Sequence, residues 1–200
     1  MHPTMPPADT APIWPSLADP RPAHHPPAFV HPGPPTSPRI AQVLTHHSTH
    51  ELLITLPPGA NFATALHRTL DGFTQRSGCA RISGGGVCAH VEYHVIIRAA
   101  HAGPPYVYGP PIVCDGDVTL VDATITIGRC EDGSRVLHCH GGMIDARGRH
   151  HGGHLDLQRT VVGHEPMRVR VCLFDELELV VSHDPETTYD LLQPIRTPLV

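Results

Sequence analysis

The run Val118-Thr-Leu-Val-Asp-Ala-Thr-Ile-Thr-Ile127 constrains this chain more than any other stretch. Most of its residues are β-branched, stiff at χ1 and suited to a pleated surface, so it reads as the strongest strand of the sequence. Glu131-Asp132-Gly133-Ser134 follows with the turn chemistry of a hairpin. The chain is thereby led straight into a second strand, residues 135–140, and into the one place where chemistry is legible.

That place is Leu137-His138-Cys139-His140-Gly141-Gly142. In a strand, side chains alternate, so His138 and His140 share one face and Cys139 takes the other as a buried core thiol. A connection rich in Gly and charge, Gly141 to Gly153, reads as a turn that returns His154 beside them, with His150 and His151 as rivals for the third position. Three neutral imidazoles with an open fourth position suit zinc or another late divalent metal. With 18 histidines in the chain, chance clusters are expected. This cluster stands out because its spacing matches strand geometry and because flanking Gly-Gly pairs permit close backbone approach. A metal enzyme would also need a proton-transfer group, for which Glu92, Asp145 and His151 are the candidates. Asp145, Asp156 and backbone carbonyls are candidate acceptors for the ligands' second ring nitrogens.

Composition divides the chain. Thirteen of the 23 prolines lie between Pro3 and Pro38. Such a segment buries too little apolar surface to offset the entropy of ordering, so residues 1–38 read as a disordered Pro-rich N-terminal tail. It has neither the basic start nor the apolar run of a secretory signal, and no stretch of the chain is long and apolar enough to span a membrane, so a cytoplasmic location is expected. The six cysteines form no Cys-x-x-Cys pair and read as reduced, small core residues. Formal net charge is −5, and all 14 basic residues are arginine with no basic stripe. This weighs against direct nucleic-acid binding, which draws most of its affinity from phosphate contacts.

Elsewhere, His50 to Leu56 reads as a strand stopped by Pro57-Pro58-Gly59. Asn61 is placed to cap a helix over residues 62 to about 76, where Phe62, Ala65, Leu66, Leu70 and Phe73 recur at helical steps. Ala80 to Ser83 and Val87 to Arg98 read as strands separated by a turn or bulge at Gly84-Gly85-Gly86, and 99–111 as a Pro- and Gly-rich loop. Met167 to Phe174 and Glu176 to Ser182 are further strands, and 184–200 reads as a C-terminal tail with a short helix near Thr187 to Leu192. The expected fold class is α+β, an antiparallel or mixed sheet of about seven strands with one main helix.

These residues together resemble the PPC domain, the "plants and prokaryotes conserved" family. The resemblance spans about residues 39–183 and rests on Pro58-Gly59 after an apolar strand, the amphipathic helix, Ala80 to Gly86, the strand Val118 to Ile127, His138-x-His140, and Gly152-Gly153-His154-Leu155. It implies a homotrimeric α+β domain with zinc on His138, His140 and His154. It also implies a module for oligomerisation and for contact with a protein partner or a small-molecule ligand, in a family associated with DNA through plant members that carry AT-hooks. The chain departs from the pattern at Ala123, where the family has Gly, and at Asp117, where it has Glu. Arg147-Gly148-Arg149 looks like the core of an AT-hook but lacks the following Pro and reads as a turn. A more distant likeness of fold and ligand spacing, to α-acetolactate decarboxylase and to zinc-dependent ester hydrolases, implies a metal enzyme as the alternative.

Overall fold

The computed structural model describes residues 30–37, 49–100 and 104–196. Among them are one helix and ten strands: β1 (Thr49–Leu56), α1 (Phe62–Leu70), β2 (Gly78–His94), β3 (Ile96–Arg98), β4 (Tyr106–Tyr108), β5 (Ile112–Arg129), β6 (Arg135–Ile144), β7 (His150–Val162), β8 (Met167–Phe174), β9 (Leu177–His183) and β10 (Asp190–Arg196). Eight strands form one sheet in the order β1-β8-β2-β7-β6-β5-β9-β10. Because β2 pairs with β5 as well as with β7, the strands β2, β7, β6 and β5 close on themselves as a small barrel. All ladders are antiparallel except a single parallel contact between Arg129 and Val180.

Alternation decides what lies inside. Val91, Leu120, Ile125, Cys139 and Leu155 point inward and are buried, while their neighbours in sequence face outward. Strand β8 shows the pattern directly, with Met167, Val169, Val171 and Leu173 buried and Arg168 and Arg170 exposed. The helix α1 buries Phe62, Leu66 and Leu70 and packs against β7 and β1. Its start follows the sequence: the Asn61 side chain accepts from the Thr64 N–H at 2.9 Å and donates to the Gln158 carbonyl.

Several boundaries differ from the sequence reading. The helix ends at Leu70 rather than near residue 76, because Asp71 and Gly72 turn the chain and the Phe73 N–H bonds back to Leu70. The side chain of Arg135, at the start of β6, pairs with Asp71 at 2.7 Å and so ties the histidine strand to the helix end. The two strands expected either side of Gly84-Gly85-Gly86 are one long strand, β2, with a register shift between Ser83 and Gly86. The expected 99–111 loop contains β4, paired with β3, and the described strands number ten rather than about seven. The expected C-terminal tail is corrected too: residues 190–196 are a strand against β9, with no helix near Thr187 to Leu192.

Of the residues read as an N-terminal tail, the structure describes 30–37. Residues 1–29 and 38 lie outside the described residues, but in 31–37 the Gly33 N–H donates to the Glu186 carbonyl at 2.9 Å and the Thr36 N–H to the Glu186 carboxylate. A Cβ on Gly33 would collide with the Pro185 carbonyl, so only glycine permits this approach. No helix among the described residues is long and apolar enough to cross a membrane.

Candidate metal centre

Strand β6 continues past the expected turn to Ile144, and the reversal occurs at Asp145 to Arg149. Gly141 and Gly142 therefore lie within the ladder, opposite Gly153 and Gly152, and His140 stands opposite His154. On the other side of β7, His154 pairs in register with His94 of β2. One row across four strands thus reads His94, His154, His140, Thr124, all on the outer face of the barrel. His138 joins from the next outward position of β6.

Glycine makes this row possible. A Cβ on Gly153 would collide with the His94 carbonyl oxygen, and one on Gly141 would sit 2.9 Å from the Ala123 Cβ. Ala123, where the resembled family has Gly, is thus accommodated by the absence of a side chain across the ladder.

The ligand atoms of His138, His140 and His154 all lie within 4.8 Å of one another. The ring centroids of His138 and His140, and of His138 and His154, are 4.8 Å apart. Burial, reinforced by His138, His140 and His94, lowers the His154 pKa to about 4, and burial together with His140 also lowers that of His138. Lowered pKa values favour the neutral form of His138 and His154, and with His140 they bring three ring-nitrogen donors to one space, the donor set a divalent cation takes. All three residues assigned from the sequence are brought together.

The rivals are not. His150 is exposed and opposite Ile144, outside the cluster. His151 points to the core side, where its Nε2 lies 3.0 Å from the Asp145 carboxylate and its Nδ1 lies 3.0 Å from the Tyr93 hydroxyl. An ionised carboxylate only accepts, so His151 donates from Nε2 and accepts the tyrosine proton at Nδ1. Asp145 also receives the N–H groups of Arg147 and Arg149 and the Arg149 guanidinium. Burial alone would raise its pKa; the Arg149 N–H, the His151 ring and the other donors outweigh that and hold it well below the usual carboxylate range. Asp145 and His151 form a structural network around the Arg147-Gly148-Arg149 turn, where Gly148 has φ +76°. Neither is a proton-transfer group for the metal face, which leaves Glu92, in register with Asp156 on the outer face.

Cys139 is fully buried and its thiol is pushed up to about 12 by burial, as expected for a core cysteine. Asp156 accepts from the Gln158 and Arg159 N–H groups and holds its own strand.

Two contributors escaped the sequence reading. The Tyr108 hydroxyl lies 3.3 Å from Nδ1 of His154, and their rings are 4.6 Å apart. His94 places Nδ1 2.9 Å from the Gly109 carbonyl, an acceptor, so Nδ1 carries the hydrogen and Nε2 keeps the lone pair of the neutral ring. Both line a cavity of about 410 Å³ that also touches His67, Arg135, His154 and Asp156. Tyr106-Val107-Tyr108 alternates as a strand would, but flanking Pro and Gly concealed it.

No protein-family model and no curated protein sequence matches this chain. Solved structures do. A plant- and prokaryote-conserved (PPC) protein from Pyrococcus horikoshii aligns over 78% of this chain and 99% of its own at a TM-score of 0.59 and 15% identity. The metal-containing protein AF0104 from Archaeoglobus fulgidus aligns over 76% and 99% at a TM-score of 0.60 and 14% identity. A candidate DNA-binding protein from Ralstonia eutropha JMP134 aligns over 70% and 88% at a TM-score of 0.56 and 22% identity. With a mostly antiparallel sheet and one helix among the described residues, this chain has the PPC-like fold of these structures.

Proposed function

We propose that this protein is a metal-binding PPC-type module in which His138, His140 and His154 hold zinc or a similar divalent ion and in which the domain self-associates as a homotrimer. Its role is that of an oligomerisation and partner-binding platform, or of a sensor whose small ligand meets the open metal position. The observation that carries this reading is the convergence of three imidazole donors within 4.8 Å. The name of the metal-containing archaeal neighbour agrees with it. When bound, a divalent ion would supply an electrophilic site to an oxygen donor. Tyr108 holds the His154 ring, and His94 offers an acceptor nitrogen on the same wall.

Self-association is supported by the β3–β4 hairpin, where Ile96, Ile97, Tyr106, Val107 and Tyr108 are all exposed. The non-catalytic reading is favoured over a decarboxylase- or hydrolase-like enzyme because Asp145 and His151 are engaged with each other on the core side. Direct DNA binding, which the neighbours' names suggest, gains little from a surface whose Arg81, Arg129, Arg135 and Arg149 are paired with carboxylates.

The test is metal analysis of the purified full chain with light scattering. The expected results are close to one divalent ion per chain, its loss in His154→Ala, and the mass of a trimer. Metal content unchanged by His154→Ala would overturn the ligand set, and a clean monomer would overturn the assembly.

A further inference from the structure

The cysteines do not all behave as core residues. Cys79 is exposed and Cys172 half-buried, and the two are register partners on neighbouring antiparallel strands, β2 and β8. Their sequence neighbours Ala80, Val171 and Leu173 point into the core, so both thiols point outward on the same face. Directly opposed residues in an antiparallel ladder have Cα atoms about 4.5–5.5 Å apart. That falls within the range a disulfide spans, roughly 4.4–6.8 Å.

The row extends one strand further. Glu51 of β1 is the register partner of Cys172, the Thr49 hydroxyl donates to its carboxylate at 3.4 Å, and burial together with the nearby Glu51 carboxylate pushes the Cys172 thiol pKa up. An exposed thiol, a second thiol beside it and a carboxylate are thus aligned across three strands.

We propose that Cys79 and Cys172 form a thiol–disulfide exchange site that takes low-molecular-weight disulfides. The exposed Cys79 attacks as thiolate, one sulfur of the small disulfide bonds to it, and the other leaves as a thiolate that takes a proton from water. Cys172 then loses its proton to water and attacks the Cys79 sulfur as thiolate. The mixed disulfide breaks, and the second small thiolate leaves with a proton. Two protein thiols are oxidised to one cross-strand disulfide and one small disulfide is reduced to two thiols, so electrons and protons balance. The bond formed staples β2 to β8, and excess small thiol reverses it. The site is independent of the three histidines.

The experiment incubates the full-length protein with glutathione disulfide and follows intact mass and peptide maps with time. The expected product lacks two hydrogens and contains a Cys79–Cys172 cross-link, restored by reduced glutathione. Cys172→Ser should stop at one glutathione on Cys79, with its melting transition checked to show that it is folded. Glu51→Gln removes a charge that disfavours the Cys172 thiolate, so it should speed conversion of the mixed disulfide to the cross-link severalfold. Glutathione accumulating on both thiols of the wild-type protein, or no reaction at Cys79, would overturn the site. An unchanged rate in Glu51→Gln would overturn the role of the carboxylate.

Discussion

The hydroxyl of Tyr108 lies 3.3 Å from Nδ1 of His154, so an aromatic residue of the short β3–β4 hairpin orients a ring of the three-histidine cluster. When the tyrosine oxygen accepts from Nδ1–H, the lone pair of His154 is left on Nε2, the tautomer a ligand needs for a metal on that nitrogen. Tyr108→Phe keeps the ring contact and removes only this bond. Metal affinity should fall by roughly ten- to a hundredfold, the usual cost of losing such a partner, with the melting temperature of the metal-free protein little changed. Competition with a chromogenic chelator measures it.

Acid should expel the metal and weaken the fold together. The His154 pKa is lowered to about 4 from an ordinary value near 6.5, so between these values the unfolded chain binds more protons than the folded one. The stability of the metal-free protein is therefore full above pH about 6.5 and declines as pH falls toward 4. His154→Gln should flatten that part of the profile. Denaturant melts at a series of pH values, with and without added zinc, give the curve.

Two glycines of the same connection should respond in opposite ways. A Cβ at position 153 meets the His94 carbonyl, which cannot rotate away, so Gly153→Ala should push β2 from β7, cost about 1–3 kcal/mol and reduce metal binding. At position 142 the nearest atom is 4.0 Å away, so Gly142→Ala should be tolerated. Thermal melting and metal content of the pair separate close approach from a general intolerance of substitution.

Asp145→Asn should destabilise the protein while leaving the metal in place. The substitution removes the charge that receives Arg149, His151 and two backbone N–H groups on the core side, whereas the three ligands lie outside. Because these donors depress its pKa, the stabilisation is present at neutral pH and lost as acid protonates the carboxylate. A parallel loss of metal and stability in this variant would mean the two faces are coupled.

Much of the site was readable because it depends on short-range rules. The alternation that separates Cys139 from His138 and His140 holds for any strand, and the Asp132-Gly133 turn needs only local chemistry, seen in the Ser134 N–H bond to Asp132 and the positive φ of Gly133. Elsewhere local cues misled. Gly141 to Gly153 looked like one turn because glycine favours turns, yet the chain reverses only at 145–149, and Gly141 and Gly153 sit inside a ladder where atoms of the neighbouring strands leave no room for a Cβ. Gly33 and its neighbours looked unable to repay ordering, but Glu186, about 150 positions away, supplies their hydrogen bonds.

The sequence by itself determined the outward pair His138 and His140, the inward Cys139, the capped start of α1 and the strand Val118 to Ile127, because periodicity and turn chemistry act over a few residues. The resemblance already pointed to His154; what the tertiary structure adds is that His154 rather than His151 stands beside the pair, since this rests on the β6–β7 register and on which face of β7 each side chain takes. It likewise brought Tyr108 and His94 to the site and set Cys79 beside Cys172, because strand pairing between distant segments is fixed by closure of the barrel and burial of its interior, which no local pattern specifies.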